Sequence, residues 1–190
     1  MHVTEQPLRI IVMGVSGSGK STLAQGLREA LGIRMKDGDE LHLPQSIAKM
    51  SAGIALQDED RWPWLEKIAN YLNNIEGSEQ GSAGSIVACS ALKKIYRDRI
   101  RQQAGPVVFL FLDGNPDLIR QRMLARQDHY MNAALLDSQM QTLEKPNSQE
   151  NDVVHLSIDQ TASEILHQAL DQLQALRKVS QRPSLSLQSN

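Results

Sequence analysis

One cysteine, Cys89, stands among 190 residues. It excludes an intrachain disulfide and any metal site built from several thiolates. No apolar stretch approaches the length of a membrane span. The short run from Leu8 to Val12 is far too brief for a signal peptide. A nucleic-acid binder carries a basic stripe or tail, and none is present: the formal charge is −2, with both signs mixed along the chain. Internal repeats are absent as well. What is present is ordinary for a folded domain, with 41% hydrophobic and 22% charged residues, so global disorder is excluded too. These features predict one domain over residues 1–178 with a small ligand, located in the cytoplasm, where a lone thiol stays reduced.

Leu8 to Met13 is an apolar, β-branched run ahead of a glycine-rich turn and reads as a buried strand. Leu23, Leu27, Ala30 and Leu31 then recur at helical spacing until Gly32. Ile33 to Lys36 predicts a weaker strand. A helix-rich stretch follows from Ser46 to about Ile75, interrupted by Gly53 and by a loop at Pro63. Glu76 to Ser85 reads as a flexible polar linker. Ile86–Cys89 and Val107–Leu112 are strand candidates on either side of a helix over Ala91–Ala104, with Ser90 as its N-cap. Asn115 caps a further helix with Pro116 at its first position. Val153–Ile158 gives the last strand, and Ile165, Leu166, Ala169, Leu170, Leu173 and Leu176 mark the closing helix. Residues 179–190 are expected to fray. Alternating strands and helices predict an α/β fold with a parallel sheet covered on both faces.

Gly14, Val15, Ser16, Gly17, Ser18, Gly19, Lys20 and Ser21 fit G-x-x-x-x-G-K-[ST], between a predicted strand and a predicted helix. With Thr22 they form the expected nucleotide-binding segment. Glycines let successive N–H groups face one anion, and the following helix adds the positive end of its dipole. Lys20 supplies a point charge for the β- and γ-phosphates of ATP, and the Ser21 hydroxyl can ligate Mg²⁺. A glycine-rich turn with a surface lysine does not explain the full motif in its full context.

Asp37-Gly38-Asp39 follows the second strand, at the sheet edge where open α/β sheets bind ligands. One carboxylate there can hold Mg²⁺ through water and the other can accept a hydroxyl proton. A plain turn explains the same three residues equally well. Lys93 and Arg97, four apart, share a helix face and could clamp a carboxylate or phosphate, although a solvated face has the same spacing. Arg122 and Arg126 repeat that spacing, which suits a lid over the transferring group across about 122–146 and equally a solvated basic face.

Together these segments resemble the gluconate kinases among the P-loop small-molecule kinases. The resemblance is carried by Asp37-Gly38-Asp39-x-Leu41-His42, by Lys49-Met50-x-x-Gly53-x-x-Leu56-x-Asp58-x-Asp60-Arg61-x-Pro63-Trp64-Leu65, and by Cys89-Ser90-Ala91-Leu92-Lys93-x-x-Tyr96-Arg97-Asp98. Arg122-x-x-x-Arg126-x-x-His129, Leu135-Leu136-x-Ser138-Gln139 and Leu143-Glu144-x-Pro146 complete it. It spans about residues 8 to 176 in order. It implies an adenylate-kinase-like P-loop NTPase fold and transfer of the ATP γ-phosphate to the 6-hydroxyl of D-gluconate. It also implies Asp39 as general base or hydroxyl positioner, Asp37 near the metal, and His42, Lys49, Arg61, Lys93 and Arg97 as contacts of a sugar acid. Arg122 and Arg126 are implied as transition-state stabilisers and a homodimer as the assembly, with no nucleic-acid or membrane partner.

One segment departs from the family. His-Pro-x-x-Asn is common after Asp-Gly-Asp, whereas this chain has His42-Leu43-Pro44-Gln45-Ser46. A serine lacks the paired donor and acceptor of an amide, and losing one polar contact at an acceptor pocket can weaken binding or change which sugar acid fits. The rival readings are a kinase of another aldonate or of a shikimate-like acid, and a nucleotide-dependent metabolite sensor with little turnover. Cys89, His155 and at least one of Trp62 and Trp64 read as structural.

Overall fold

A computed structural model describes residues 7–74, 84–124 and 133–180. Its described strands are β1 (Leu8–Met13), β2 (Arg34–Asp37), β3 (Gly84–Ala88), β4 (Val108–Asp113) and β5 (Val153–Ser157). They form one sheet in the order β2-β3-β1-β4-β5, and every pairing is parallel. Strand β1 is central because its side chains are apolar toward both faces. Ile10 and Val12 enter one core cluster, and Ile11 and Met13 enter the other. The helices that cover the faces are α1 (Lys20–Leu31), α2 (Pro44–Ser51), α3 (Asp58–Asn73), α4 (Lys94–Ala104), α5 (Pro116–Leu124), α6 (Ala133–Thr142) and α7 (Ala162–Ser180). Helices α1 and α7 pack with Leu27, Ala169 and Leu173 on the first face; α3 and α4 pack with Leu65, Ile68 and Ile100 on the second.

Three local expectations change. Pro63 lies inside α3 rather than in a loop. It removes one helix donor, yet the buried Trp64, Leu65, Ile68, Ala69 and Leu72 hold the helix through it, and three acidic residues in its first turn favour the dipole. Gly84 and Ser85, read as the end of a linker, begin β3. Ser85 is fully buried, with its hydroxyl donating to the Leu72 carbonyl at 3.0 Å, so its polarity is satisfied and no longer signals exposure. Helix α4 starts at Lys94, three residues later than expected, and Ser90 does not cap it; the Glu144 carboxylate accepts from the Lys94 N–H at 2.6 Å instead. Asn115 does cap α5, accepting from Asp117 N–H at 2.8 Å. Residues 75–83, with most of the expected linker, residues 125–132 of the expected lid, Arg126 among them, and residues 181–190 of the expected tail lie outside the described residues, while Val179 and Ser180, expected to fray, end α7.

Candidate active site

The loop between β1 and α1 turns through positive φ at Gly14 (147°), Gly17 (80°) and Gly19 (100°), a conformation that L side chains rarely adopt. Gly19 stands immediately before α1, whose first turn has neither a side-chain cap nor an acidic residue. The first N–H groups of α1 therefore remain available to an anion. Lys20 Nζ donates to the Val15 carbonyl at 3.0 Å, which curls its ammonium back over the loop. Buried Ser18 has a hydroxyl oxygen with no partner among the described residues. Beside the loop opens a pocket of about 240 Å³ lined by Gly17, Gly19, Thr22, Arg122, Gln160 and Ile165.

Asp37 ends β2, and its carboxylate accepts from the Asp39 N–H at 3.0 Å. The turn between them presses against the end of β3, because a Cβ on Gly38 would lie 2.7 Å from that of Cys89. Trp64 buttresses it from α3, donating Nε1–H to the Gly38 carbonyl at 2.7 Å. His42 stacks on the same indole with ring centroids 4.6 Å apart. Burial holds the His42 imidazole below its usual pKa, with Asp39 opposing that shift and Arg61 adding to it. Its Nδ1 is buried without a partner among the described residues. Cys89 links the two halves of the site. Burial pushes its thiol up to about 12 while Lys20 lowers it and Asp39 and Asp37 raise it further. Asp37 pairs with Ala88 at the end of β3, Gly38 lies against Cys89, and the Gly14 N–H points at the Ser90 carbonyl 3.4 Å away, so the Asp37–Asp39 turn and the phosphate loop meet at the end of β3.

Asp58 gathers two of the expected cations, Lys93 and Arg61. Lys93 Nζ contacts both of its oxygens, at 2.8 and 2.9 Å. The Tyr96 hydroxyl donates to Oδ1, and Arg61 stands 3.8 Å away. Hydrogen bonds from Lys93 and then Tyr96 hold the Asp58 carboxyl below its usual range. Lys49 pairs with Asp60 at 2.6 Å. Ser46 is 1% exposed and points its hydroxyl at the Asp60 carbonyl, 3.5 Å away. The departure at this position therefore lies in the α2–α3 contact and not on an open pocket wall.

Two expected site residues stand elsewhere. Arg97 does not share an exposed face with Lys93, which precedes α4. Its side chain is 1% exposed and bound to Glu150 through Nε–Oε2 and Nη2–Oε1 contacts of 2.8 and 2.6 Å. A guanidinium so enclosed cannot reach an acceptor. Arg122 donates to the carbonyls of Ile158 and Gln160, at 2.6 and 3.4 Å. It thus borders the pocket beside α1 and β5 rather than the side holding Asp39.

Residues 10–144 match a family model described as an AAA domain. The thermosensitive gluconokinase of Escherichia coli strain K12 is 41% identical over 168 residues, 88% of each chain. The chain belongs to the gluconokinase family. Gluconokinase from Gluconobacter oxydans is 37% identical, covering 92% of this chain and 97% of its own. A crystal structure of a gluconokinase from Sinorhizobium meliloti superposes with a TM-score of 0.81 at 42% identity, over 91% of this chain and 95% of that one. Membership of the gluconokinase family makes this a nucleotide-binding P-loop kinase. Among the gluconokinase-like motifs, several residues gain a physical place that local sequence did not assign. Gln139 Oε1 accepts from the Ser16 N–H at 2.7 Å, Asp58 anchors Lys93, and Glu144 caps α4. Their partners are 123, 35 and 50 residues away, so no local pattern could reveal them.

Proposed function

We propose that the chain transfers the γ-phosphoryl group of ATP to the 6-hydroxyl of D-gluconate. The observation that carries this reading is the meeting of the phosphate loop and the Asp37–Asp39 turn at the end of β3, where the β3–α4 turn leads on to Lys93, which shares Asp58 with Arg61. The gluconokinase names of its relatives support the acceptor. In this reading the Gly14–Thr22 segment and Lys20 hold the phosphates, and Arg122 borders the pocket for the rest of the nucleotide. Asp39 accepts the proton of the 6-hydroxyl as that oxygen attacks phosphorus and ADP leaves. His42, Arg61 and Lys93 meet the hydroxyls and carboxylate of the sugar acid, with Lys49 at the rim.

Ser21 and Asp37 are the residues that would hold Mg²⁺. Their oxygen donors suit a hard cation, and no cluster of three His, Cys, Asp or Glu exists among the described residues to make an all-protein cage. When bound, Mg²⁺ neutralises charge on the β- and γ-phosphates. Dependence on ATP makes the cytoplasm the expected compartment, and the family resemblance makes a homodimer the expected assembly; light scattering of the purified chain checks the latter.

The direct test is ADP formation with MgATP in the presence and absence of D-gluconate, with the product identified by mass. Gluconate-dependent turnover is expected, and Asp39→Asn should reduce it by at least about 100-fold while ATP binding stays near normal. Full activity in that variant would remove Asp39 from the mechanism. ATP binding without gluconate turnover would redirect the reading to another acid.

A further inference from the structure

The turn between β3 and α4 has a backbone conformation that its sequence disfavours. Ala91 sits at φ 43°, the one non-glycine residue with positive φ among those described. For an L-residue that region is disfavoured by roughly 5- to 30-fold in population, so the surrounding fold must impose it.

The imposing groups can be identified. Arg97 Nη1 donates to the carbonyls of both Ala91 and Leu92, at 3.2 Å each. The remainder of its guanidinium is engaged by Glu150, which is itself buried and fixed by Arg101 Nη2 at 2.7 Å. From another direction, Glu144 N–H donates to the Leu92 carbonyl at 2.9 Å. The turn also touches the phosphate loop, where Gly14 N–H points at the Ser90 carbonyl, 3.4 Å away. One residue beyond Leu92 comes Lys93. A short strained segment therefore joins the phosphate loop to the acceptor-side cation, with a buried guanidinium behind it.

We propose that Arg97 is a positioning residue. Anchored by Glu150, it imposes the Ala91 turn and so sets Lys93 against the phosphate loop. The inference rests on the acceptor role given to Lys93 above. Only a planar fork can serve two carbonyls and a carboxylate together, so lysine is no substitute here. Glycine at position 91 would adopt the same φ without steric cost, and the turn would then need less holding.

That asymmetry provides the test. Steady-state kinetics with D-gluconate and MgATP, and ADP affinity, are measured for wild type, Arg97→Lys and the Arg97→Lys/Ala91→Gly double variant. Arg97→Lys should lower kcat/KM for gluconate by about tenfold or more, with ADP affinity within about twofold of wild type. The double variant should recover at least about threefold of that loss. A purely structural ion pair predicts no recovery, because Ala91→Gly restores no contact to Glu150; that outcome, or a parallel loss of ADP affinity, overturns the proposal. If Arg97→Lys does not fold, Glu150→Gln replaces it in both backgrounds. Amide exchange at Leu92 and Lys93 is followed in the same proteins. It should quicken in the single variant and slow again in the double one, a readout that decides the turn even if wild type leaves gluconate unphosphorylated and the acceptor reading fails by itself.

Discussion

Lys93 illustrates how a residue type can be right while its setting is hidden. The sequence placed it on a helix face with Arg97, but the backbone puts one residue beside Asp58 and the other in the core. Spacing of four residues implies a shared face only if both belong to the helix, and α4 begins one residue after Lys93. The phosphate loop was legible because its chemistry is local: three glycines, a lysine and a serine suffice within eight positions. The acceptor side was legible only through resemblance, since Asp58 reaches Lys93 and Tyr96 across more than 30 residues. Lys93 remains partly exposed beside Asp58, so its ammonium can exchange one carboxylate for another. A charge-assisted hydrogen bond contributes about 1.5–3 kcal/mol. Lys93→Met should therefore raise the KM for gluconate by roughly 10- to 100-fold, with ADP affinity unchanged. D-Glucitol, which lacks the carboxylate, is the control, and the gap between the two acceptors should narrow in the variant. An undiminished preference for gluconate would remove Lys93 from carboxylate recognition.

Helix α6 has little amphipathic signature, and its region reads from sequence as lid and as a family motif without a helix of its own. What fixes it is tertiary. Leu136 is fully buried, Leu143 just past its end packs against both core clusters, and Glu144 caps α4. Gln139 adds a contact to the phosphate loop itself through the Ser16 N–H. The same physics explains Pro63 and Ser85, where burial of neighbours or a single distant hydrogen bond overrides local preference. Strands β1 and β4 were readable to within a residue because both of their faces are apolar. Since Ser16 belongs to the loop that cradles the phosphates, loss of its side-chain partner should disturb alignment more than binding. Gln139→Leu is expected to lower kcat about tenfold and ADP affinity by less than about twofold. Equal losses in both would mean that the contact holds the loop's fold rather than its aim.

Across the whole molecule, the two layers on the second face are tied by ion pairs as well as by apolar packing. Arg97 and Arg101 of α4 both reach Glu150, and Arg101 also reaches Asp152 at the approach to β5. Glu150 has only 3% of its side chain exposed. Its hydrogen bonds from Arg97 lower its pKa to about 2, against the burial that alone would raise it. Because the folded value is depressed, the associated stability is fully present above the unfolded pKa of 4.5 and is lost as pH falls through about 2. The shift corresponds to on the order of 3 kcal/mol. Breaking such a pair leaves a buried guanidinium without its counter-ion, so Glu150→Gln should destabilise the fold at neutral pH. It should also remove one proton's worth of acid sensitivity between pH 4.5 and 2. Unfolding free energies across that interval should accordingly fall less steeply for Glu150→Gln than for wild type. If the two curves instead run parallel, the acid sensitivity belongs to other carboxylates such as Asp58 and Asp60, whose lysine partners also hold them low. The Arg97–Glu150 pair would then act through geometry alone, holding the turn at Ala91 without governing the stability of the fold in acid.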